Sequence, residues 1–148
     1  MKANHIFATL AFVFCLPTLA AGDAGIVQTS KGEVRIERSG IKVAVAPSMP
    51  VKQQDRIVTG KDSSVAIRLN DNTMLSAGPN SILDLNTYSF NTTTLSGALD
   101  ATLKRGTLAV ISGAIAKTSP QSVRFHTQTI TLGVRGTEFM IDAGQESE

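Results

Sequence analysis

Cysteine, tryptophan and histidine are scarce in this sequence of 148 residues. It has one cysteine, Cys15, no tryptophan and two histidines, His5 and His126. Cys15 and His5 both lie within the first 21 residues, which we interpret below as an export signal. The remaining 127 residues have no thiol and one imidazole, which excludes disulfide frameworks, zinc–thiolate sites and thiol nucleophiles.

An excess of one charge is also missing. The chain has 14 Lys and Arg against 12 Asp and Glu, and loss of Lys2 with the export signal leaves 13 − 12 = +1. Nucleic-acid binding usually requires clustered basic residues. The adjacent pair Lys104–Arg105 is better explained by a solvated turn, so we expect no nucleic-acid partner.

No hydrophobic run is long enough to span a bilayer. The longest, from Ile6 to Leu16, has 11 residues, whereas a span needs about 20. Lys2 precedes the run, and Pro17 and small residues follow it, which is the order of a secretory signal peptide. Cys15 lacks the small preceding residues of a lipidation site. We predict a cleaved signal peptide over residues 1–21, a mature domain over 22–148, periplasmic or secreted localisation, and no stable membrane insertion.

The mature chain is rich in residues that favour strands. Val, Ile and Thr make up 34 of its 127 residues, and these side chains fit a pleated surface better than a helix. Short segments alternate between apolar and polar residues, which predicts strands with one buried face. The residues predicted to be buried are Val34, Ile36, Val65, Ile67, Leu69, Val123, Phe125, Ile130, Leu132, Val134, Phe139 and Ile141.

Only short segments depart from this strand pattern. Ser112–Lys117 is the best helical candidate and would end before Pro120, Ala98–Leu103 is ambiguous between helix and strand, and the polar stretch Asn86–Ser96 predicts an exposed loop or hairpin tip. The sequence therefore predicts one compact all-β domain of short strands with at most one short helical turn. A small β-sandwich and a short β-solenoid-like arrangement both remain open.

The residue types needed for catalysis are mostly absent. His126 alternates with Phe125 and is expected to point outward as a solvated side chain, and no Gly-x-Ser-x-Gly elbow occurs. The carboxylates are scattered without calcium-loop spacing, and Gly133–Thr137 lacks the lysine of a phosphate-binding loop. We expect no catalytic residues, no metal site and no cofactor, and we interpret the protein as a non-enzyme.

Three motifs, in order, resemble the FecR domain, the periplasmic module of iron-transport regulators. Residues 54–69 (QDRIVTGKDSSVAIRL), 71–81 (DNTMLSAGPNS) and 130–139 (ITLGVRGTEF) are similar to its conserved stretches. Gln54 and Asn72 stand where the family usually has glycine. The resemblance covers roughly residues 50–142.

The resemblance implies a sensory, scaffolding or protein-interaction module of the bacterial envelope, whose partner is another envelope protein. Membrane-bound regulators carry an anti-sigma region and a transmembrane helix before this domain, and we expect neither here, because the signal peptide begins at Met1. Candidate interaction residues, taken from the motifs, are Arg135, Gly136, Thr137, Glu138, Asn80, Asp55 and Arg56.

The last motif also predicts a backbone irregularity. Val134 and Phe139 should both face the core, but strict alternation would place residues five apart on opposite faces. Gly136 is the residue best able to form the necessary turn or bulge. Arg135 should then project to the surface or pair with a carboxylate such as Glu138.

Two other interpretations remain open. The first is a carbohydrate- or cell-wall-binding domain or hydrolase, with a cleft lined by Tyr88, Asn86, Asp84 and Arg68. The second is a purely structural secreted protein without a specific partner.

Overall fold

The computed structural model describes residues 22–145, so the predicted signal peptide lies outside the described residues. Turn residues divide this part of the chain into short strands, as the sequence predicts. The strands and helices are β1 (Asp23–Lys31), β2 (Val34–Arg38), β3 (Ile41–Ala44), β4 (Pro50–Lys52), β5 (Arg56–Thr59), β6 (Ser64–Leu69), β7 (Met74–Ala77), β8 (Ile82–Phe90), β9 (Gly97–Ile111), α1 (Ala114–Thr118), one 3₁₀ turn (Pro120–Ser122), β10 (Val123–His126), β11 (Thr131–Gly133) and β12 (Glu138–Gly144).

The twelve strands form one curled sheet with two halves, and the long strand β9 runs through both. In what we call the β1 half the strand order is β12-β9-β7-β6-β1-β4. In the β2 half it is β11-β10-β9-β8-β5-β2-β3. Every pairing is antiparallel except that of β9 with β10. The predicted all-β fold is confirmed, and the antiparallel pairing is unlike that of a parallel β-solenoid.

Gly106 marks the junction between the two halves. Before it, β9 buries Leu103, and after it β9 buries Leu108, so the inward-facing positions change phase. The change comes from an extra residue, Lys104, at which the pairing of β8 with β9 shifts. Gly106 has φ +87°, and a Cβ there would collide with Ser81. Only glycine combines this backbone angle with so close an approach.

One hydrophobic core lies between the two halves. The predicted alternation is confirmed in β2, β6 and β10, whose inward residues are all buried. Val134 and Ile141 are buried, and Phe139 is half-buried with its ring 5.4 Å from that of Phe125 in an edge-to-face contact. Both halves contribute to this single cluster, so neither half has a core of its own.

Two predictions about local structure were wrong. Ile130 is 52% exposed and Leu132 only half-buried, because β11 has three residues and Ile130 lies in the preceding loop, where its carbonyl accepts a hydrogen bond from the Thr127 N–H. The predicted loop over Asn86–Ser96 is correct only from Asn91 onward, because β8 continues to Phe90.

The structure also shows the conformation of the two other segments that depart from the strand pattern. The ambiguous segment Ala98–Leu103 is part of β9. The predicted helical turn is α1, and it ends before Pro120, which begins a 3₁₀ turn.

Candidate functional site

The outer face of the β2 half carries a row of polar side chains, one from each of seven adjacent strands. Each member is the direct cross-strand partner of the next. Because strands lie about 4.8 Å apart, the six steps span about 29 Å. We call this set the polar row. From the β3 edge to the β11 edge it consists of Lys42, Glu37, Arg56, Asp84, Thr102, His126 and Thr131.

The first four members of the row alternate in charge. Arg56 donates two hydrogen bonds to Asp84, with Nε–Oδ1 2.7 Å and Nη2–Oδ2 2.9 Å. Lys104 Nζ lies 3.4 Å from the same carboxylate, and Lys42 Nζ lies 3.7 Å from Glu37 Oε1. Burial would raise the pKa of Asp84, but the hydrogen bonds and charges of Arg56 and Lys104 outweigh it and lower the pKa. The carboxylate therefore stays ionised, and its geometry is fixed.

A β-bulge shapes the other end of the row. The pairing of β8 with β9 shifts between Leu85 and Thr87, which leaves Asn86 as an extra, exposed residue. Its side-chain amide donates to Asp100 Oδ1 and Thr102 Oγ1, both at 2.8 Å. Bulges occur often beside functional surfaces, where they redirect a side chain.

His126 points outward from β10, as expected, but it is only partly exposed and is held at both ring nitrogens. Its Nε2 lies 2.8 Å from Asp100 Oδ2 and its Nδ1 lies 2.8 Å from Thr131 Oγ1. The strand register places Thr131 directly opposite, and Asp100 two residues before the cross-strand partner of His126. Burial would raise the pKa of Asp100, but the hydrogen bonds from Asn86 and His126 lower it.

This arrangement has the order carboxylate, imidazole and hydroxyl found in nucleophilic triads. With Nε2 protonated toward Asp100, Nδ1 is the nitrogen that accepts the Thr131 hydroxyl proton. However, Thr131 is exposed on the outer face of a three-residue strand. The three groups tie β9, β10 and β11 together on a face that is open to water.

A groove of about 510 Å³ lies over the charged end of the row. Lys42, Glu37, Arg56 and Asp84 line it. Asp55, at its inner margin, is 1% exposed. No aromatic side chain is among the residues that line this groove, and each of its charged groups is paired: Lys42 with Glu37, Arg56 with Asp84, and Asp55 with Arg38.

Asp55 is a buried carboxylate paired with Arg38, whose side chain is one-third exposed. Arg38 donates to both of its oxygens, at 2.7 Å and 2.6 Å, and the Lys52 backbone N–H donates at 2.8 Å. The Asp55 hydrogen bond is the main cause of a raised pKa for Arg38. Asn80 is likewise structural, because its backbone N–H donates to Gly60 and its carbonyl accepts from Arg105 in the turn between β7 and β8.

The predicted residues of the last motif lie elsewhere: Arg135, Gly136 and Thr137 in the turn between β11 and β12, and Glu138 at the start of β12. Arg135 and Glu138 are exposed, and no ion pair joins them within residues 22–145. Gly136 has φ +142°, which confirms the predicted irregularity. Arg135 lines a second groove, of about 550 Å³, together with Pro120 and Val134. The seven predicted interaction residues are therefore not brought together in one site.

The four residues of the alternative cleft do not meet either. Tyr88 is 8% exposed, and its hydroxyl donates to Asp71 Oδ1 at 3.0 Å, while burial raises its pKa. Arg68 lies on β6 in the other half and lines a different groove. Only Asp84 and Asn86 share a groove.

Sequence reasoning missed four members of the polar row. Arg56 was a candidate from its motif, Asp84 belonged to the alternative cleft, and His126 was expected to be an outward, solvated side chain. Alternation shows that such residues point outward, but only the strand register shows that they are neighbours. The missed members are Lys42, Glu37, Thr102 and Thr131.

Within residues 22–145, no group of three or more His, Cys, Asp or Glu side chains is arranged to hold a metal ion. In the same range, no helix has the length and apolarity needed to cross a bilayer.

Comparison with known proteins gives one family. The family model described as FecR protein matches residues 55–148, which confirms the resemblance seen in the motifs. No curated protein and no solved structure matches the chain.

Proposed function

The chain belongs to the FecR family, and we propose that it is a non-enzymatic protein-binding module of the bacterial envelope that contacts its partner through the polar row. FecR is a regulatory family, which is consistent with a regulatory or sensory domain. The order of residues in the predicted signal peptide supports an envelope location.

The observation that carries the proposal is the continuity of the polar row across seven strands. Its side chains are held in place before any partner arrives, by the Arg56–Asp84 pair at one end and by the Asp100–His126–Thr131 hydrogen bonds at the other. Binding through fixed side chains loses less conformational freedom than binding through mobile ones. Alternating charge also selects a partner of complementary pattern and disfavours others.

The state of the titratable groups supports a non-enzymatic role. An enzyme usually encloses its reacting groups in a concave pocket. Here Thr131, whose hydroxyl contacts His126, is exposed on the outer face of a three-residue strand and is not among the residues that line the grooves described above. Asp84 and Asp100 each accept hydrogen bonds from neighbouring side chains. These groups stabilise the surface that the proposal assigns to partner binding.

A charge swap tests the surface without removing its ion pair. In the double variant Arg56→Asp/Asp84→Arg, the two charges exchange strands, so the order of charges that a partner meets along the row is changed. The exported chain, used as bait in envelope extracts, is expected to capture a defined protein that the swapped variant does not capture. The matched control is Arg68→Glu, which reverses an exposed charge on the β1 half and is expected to leave capture unchanged.

Two results would contradict the proposal. One is equal capture by the wild type and a swapped variant whose thermal melt shows that it is folded. The other is loss of biological activity in a folded His126→Ala variant that still captures the partner, which would indicate catalysis.

A further inference from the structure

The β2 half ends in an unusually apolar edge strand. All four residues of β3 are exposed, and Ile41 and Val43 are 65% and 39% exposed. Among residues 22–145, β3 pairs only with β2. Edge strands usually carry charges, proline or a bulge that discourages pairing with another chain. Within β3, Lys42 is the only such feature.

The register shows which backbone groups are free. The Val45 N–H donates to the Val34 carbonyl at 3.0 Å, and Val43 is the cross-strand partner of Ile36. In an antiparallel pair, alternate residues turn their N–H and C=O groups toward the same neighbour. Ile41, Val43 and Val45 therefore turn theirs toward β2, and Lys42 and Ala44 turn theirs outward.

We propose that two copies of this chain pair through β3, antiparallel, about a two-fold axis at Val43. Lys42 of each copy then lies opposite Ala44 of the other, and the two outward-facing residues exchange both of their hydrogen bonds. The two pairs together form four N–H···O bonds. Val43 lies opposite Val43, and Ile41 lies opposite Val45, all on the core-facing side.

The sequence of β3 favours a second copy as its occupant. An axis at Val43 keeps the core faces of both copies on one side and covers the exposed Ile41. It also places each Lys42 opposite an alanine, whereas an axis at Lys42 would place two ammonium groups directly opposite each other, which is unfavourable. Pro47, which has no N–H, limits how far the pairing extends. The edge is therefore self-complementary in hydrogen bonds, shape and charge.

The pairing is independent of the proposed function and goes beyond it. Each copy contributes about five residues, so the interface falls well below the roughly 1,200 Å² of a stable complex. Such a dimer forms at high concentration and dissociates on dilution. It would place the polar rows of two copies on one continuous sheet surface.

Sedimentation of the full chain, with Cys15 replaced by Ala, over a hundred-fold range of concentration tests the proposal. We expect the mean mass to rise toward that of a dimer. Ala44→Pro removes an outward N–H that makes no bond to β2, and Val43→Lys places two charges at the axis. Both variants are expected to stay folded and monomeric. The control Met140→Lys adds the same charge to exposed β12 and should dimerise like the wild type.

Two cysteine variants test the register. In Val43→Cys the two thiols face each other at the axis, close enough for a disulfide, so oxidation should give a covalent dimer. In Lys42→Cys they are offset by two residues along the strands and should not join. A wild type that stays monomeric throughout, a dimer unaffected by Ala44→Pro, or equal cross-linking of the two cysteine variants would overturn the proposal.

Discussion

The two halves of the sheet have the same residue pattern on their inner faces and different patterns on their outer faces. Both bury alternate apolar residues in the shared core. On the outer face of the β1 half, however, the row Ala66–Ser76–Ala109–Met140 crosses four strands without a charge. The polar row of the β2 half contains four charged residues and a histidine. Folding requires only the inner pattern, so the outer pattern is free to carry function.

The largest effect on stability is expected from a change at Gly106, where the two halves join. Gly106→Val forces a β-branched residue into φ +87° and into contact with Ser81. The backbone strain costs about 1–2 kcal/mol and the overpacking about 1–3 kcal/mol, a large part of a typical 5–15 kcal/mol. Urea unfolding should show a much lower midpoint or no folded state. Gly133→Ala, at an open position with negative φ, is the control, and an equal loss in both variants would contradict the junction's role.

Two ion pairs of the β2 half, one on its inner side and one on its outer face, should differ in how much they contribute to stability. Arg38→Met leaves the Asp55 carboxylate buried without its cation, which should cost up to about 3 kcal/mol, because Arg38 itself is one-third exposed. Arg56→Met breaks the half-exposed pair with Asp84, which should cost about 1 kcal/mol or less. Urea midpoints of the two variants measure the difference. If Arg56→Met lowered the midpoint more than Arg38→Met, the ion pairs of the polar row would contribute mainly to stability, which would contradict their assignment to partner binding.

Acid should weaken the polar row in a defined range. The pKa of Asp84 is lower in the folded protein than its ordinary 3.8, so its contribution to stability is complete above that value and is lost as the pH falls through the folded value. Unfolding measured from pH 7 to pH 2 should therefore show a flatter decline below pH 4 for Asp84→Asn than for the wild type. Asp62→Asn, which removes an exposed carboxylate, should decline like the wild type.

The smallest effect is expected in the uncharged row of the β1 half. Met140 is 73% exposed, so Met140→Lys should change the free energy of unfolding by no more than about 0.5 kcal/mol. Thermal melts would measure this. A large decrease in the free energy of unfolding would show that this row is buried by a partner or by another part of the chain.

The inner face of the sheet could be predicted from the sequence because burial has a local signature. Val65, Ile67 and Leu69 alternate with polar residues whatever strand they pair with, and all three are buried. The site could not be predicted in the same way. Glu37, Arg56 and Asp84 become neighbours only through two strand registers that link distant parts of the chain. The predicted burial of Ile130 and Leu132 was wrong for a related reason. Alternation indicates that a segment favours a strand, but it does not show where the neighbouring strand ends.

Motif resemblance identified the family without locating a surface. Asp55 and Asn80 stand in the motifs and serve the fold, because Asp55 accepts hydrogen bonds from Arg38 and the Lys52 N–H and Asn80 has φ +51° in the turn between β7 and β8. Arg135 is prominent and exposed, but it lies in a separate groove. A family motif thus marks residues that the fold requires as well as residues that a partner contacts.

The long strand β9 has a consequence for the order in which the chain folds. Strands β1 to β8 form two partial sheets, one ending at β7 and the other at β8, and β9 is the strand that pairs with both. Until residues 97–111 arrive, no strand pairing joins the two partial sheets, and the residues that β9 contributes to the shared core are missing. Such non-local pairing slows folding. A chain that emerges from its N-terminus should therefore remain unfolded until about three-quarters of it has been delivered, and then fold in one cooperative step.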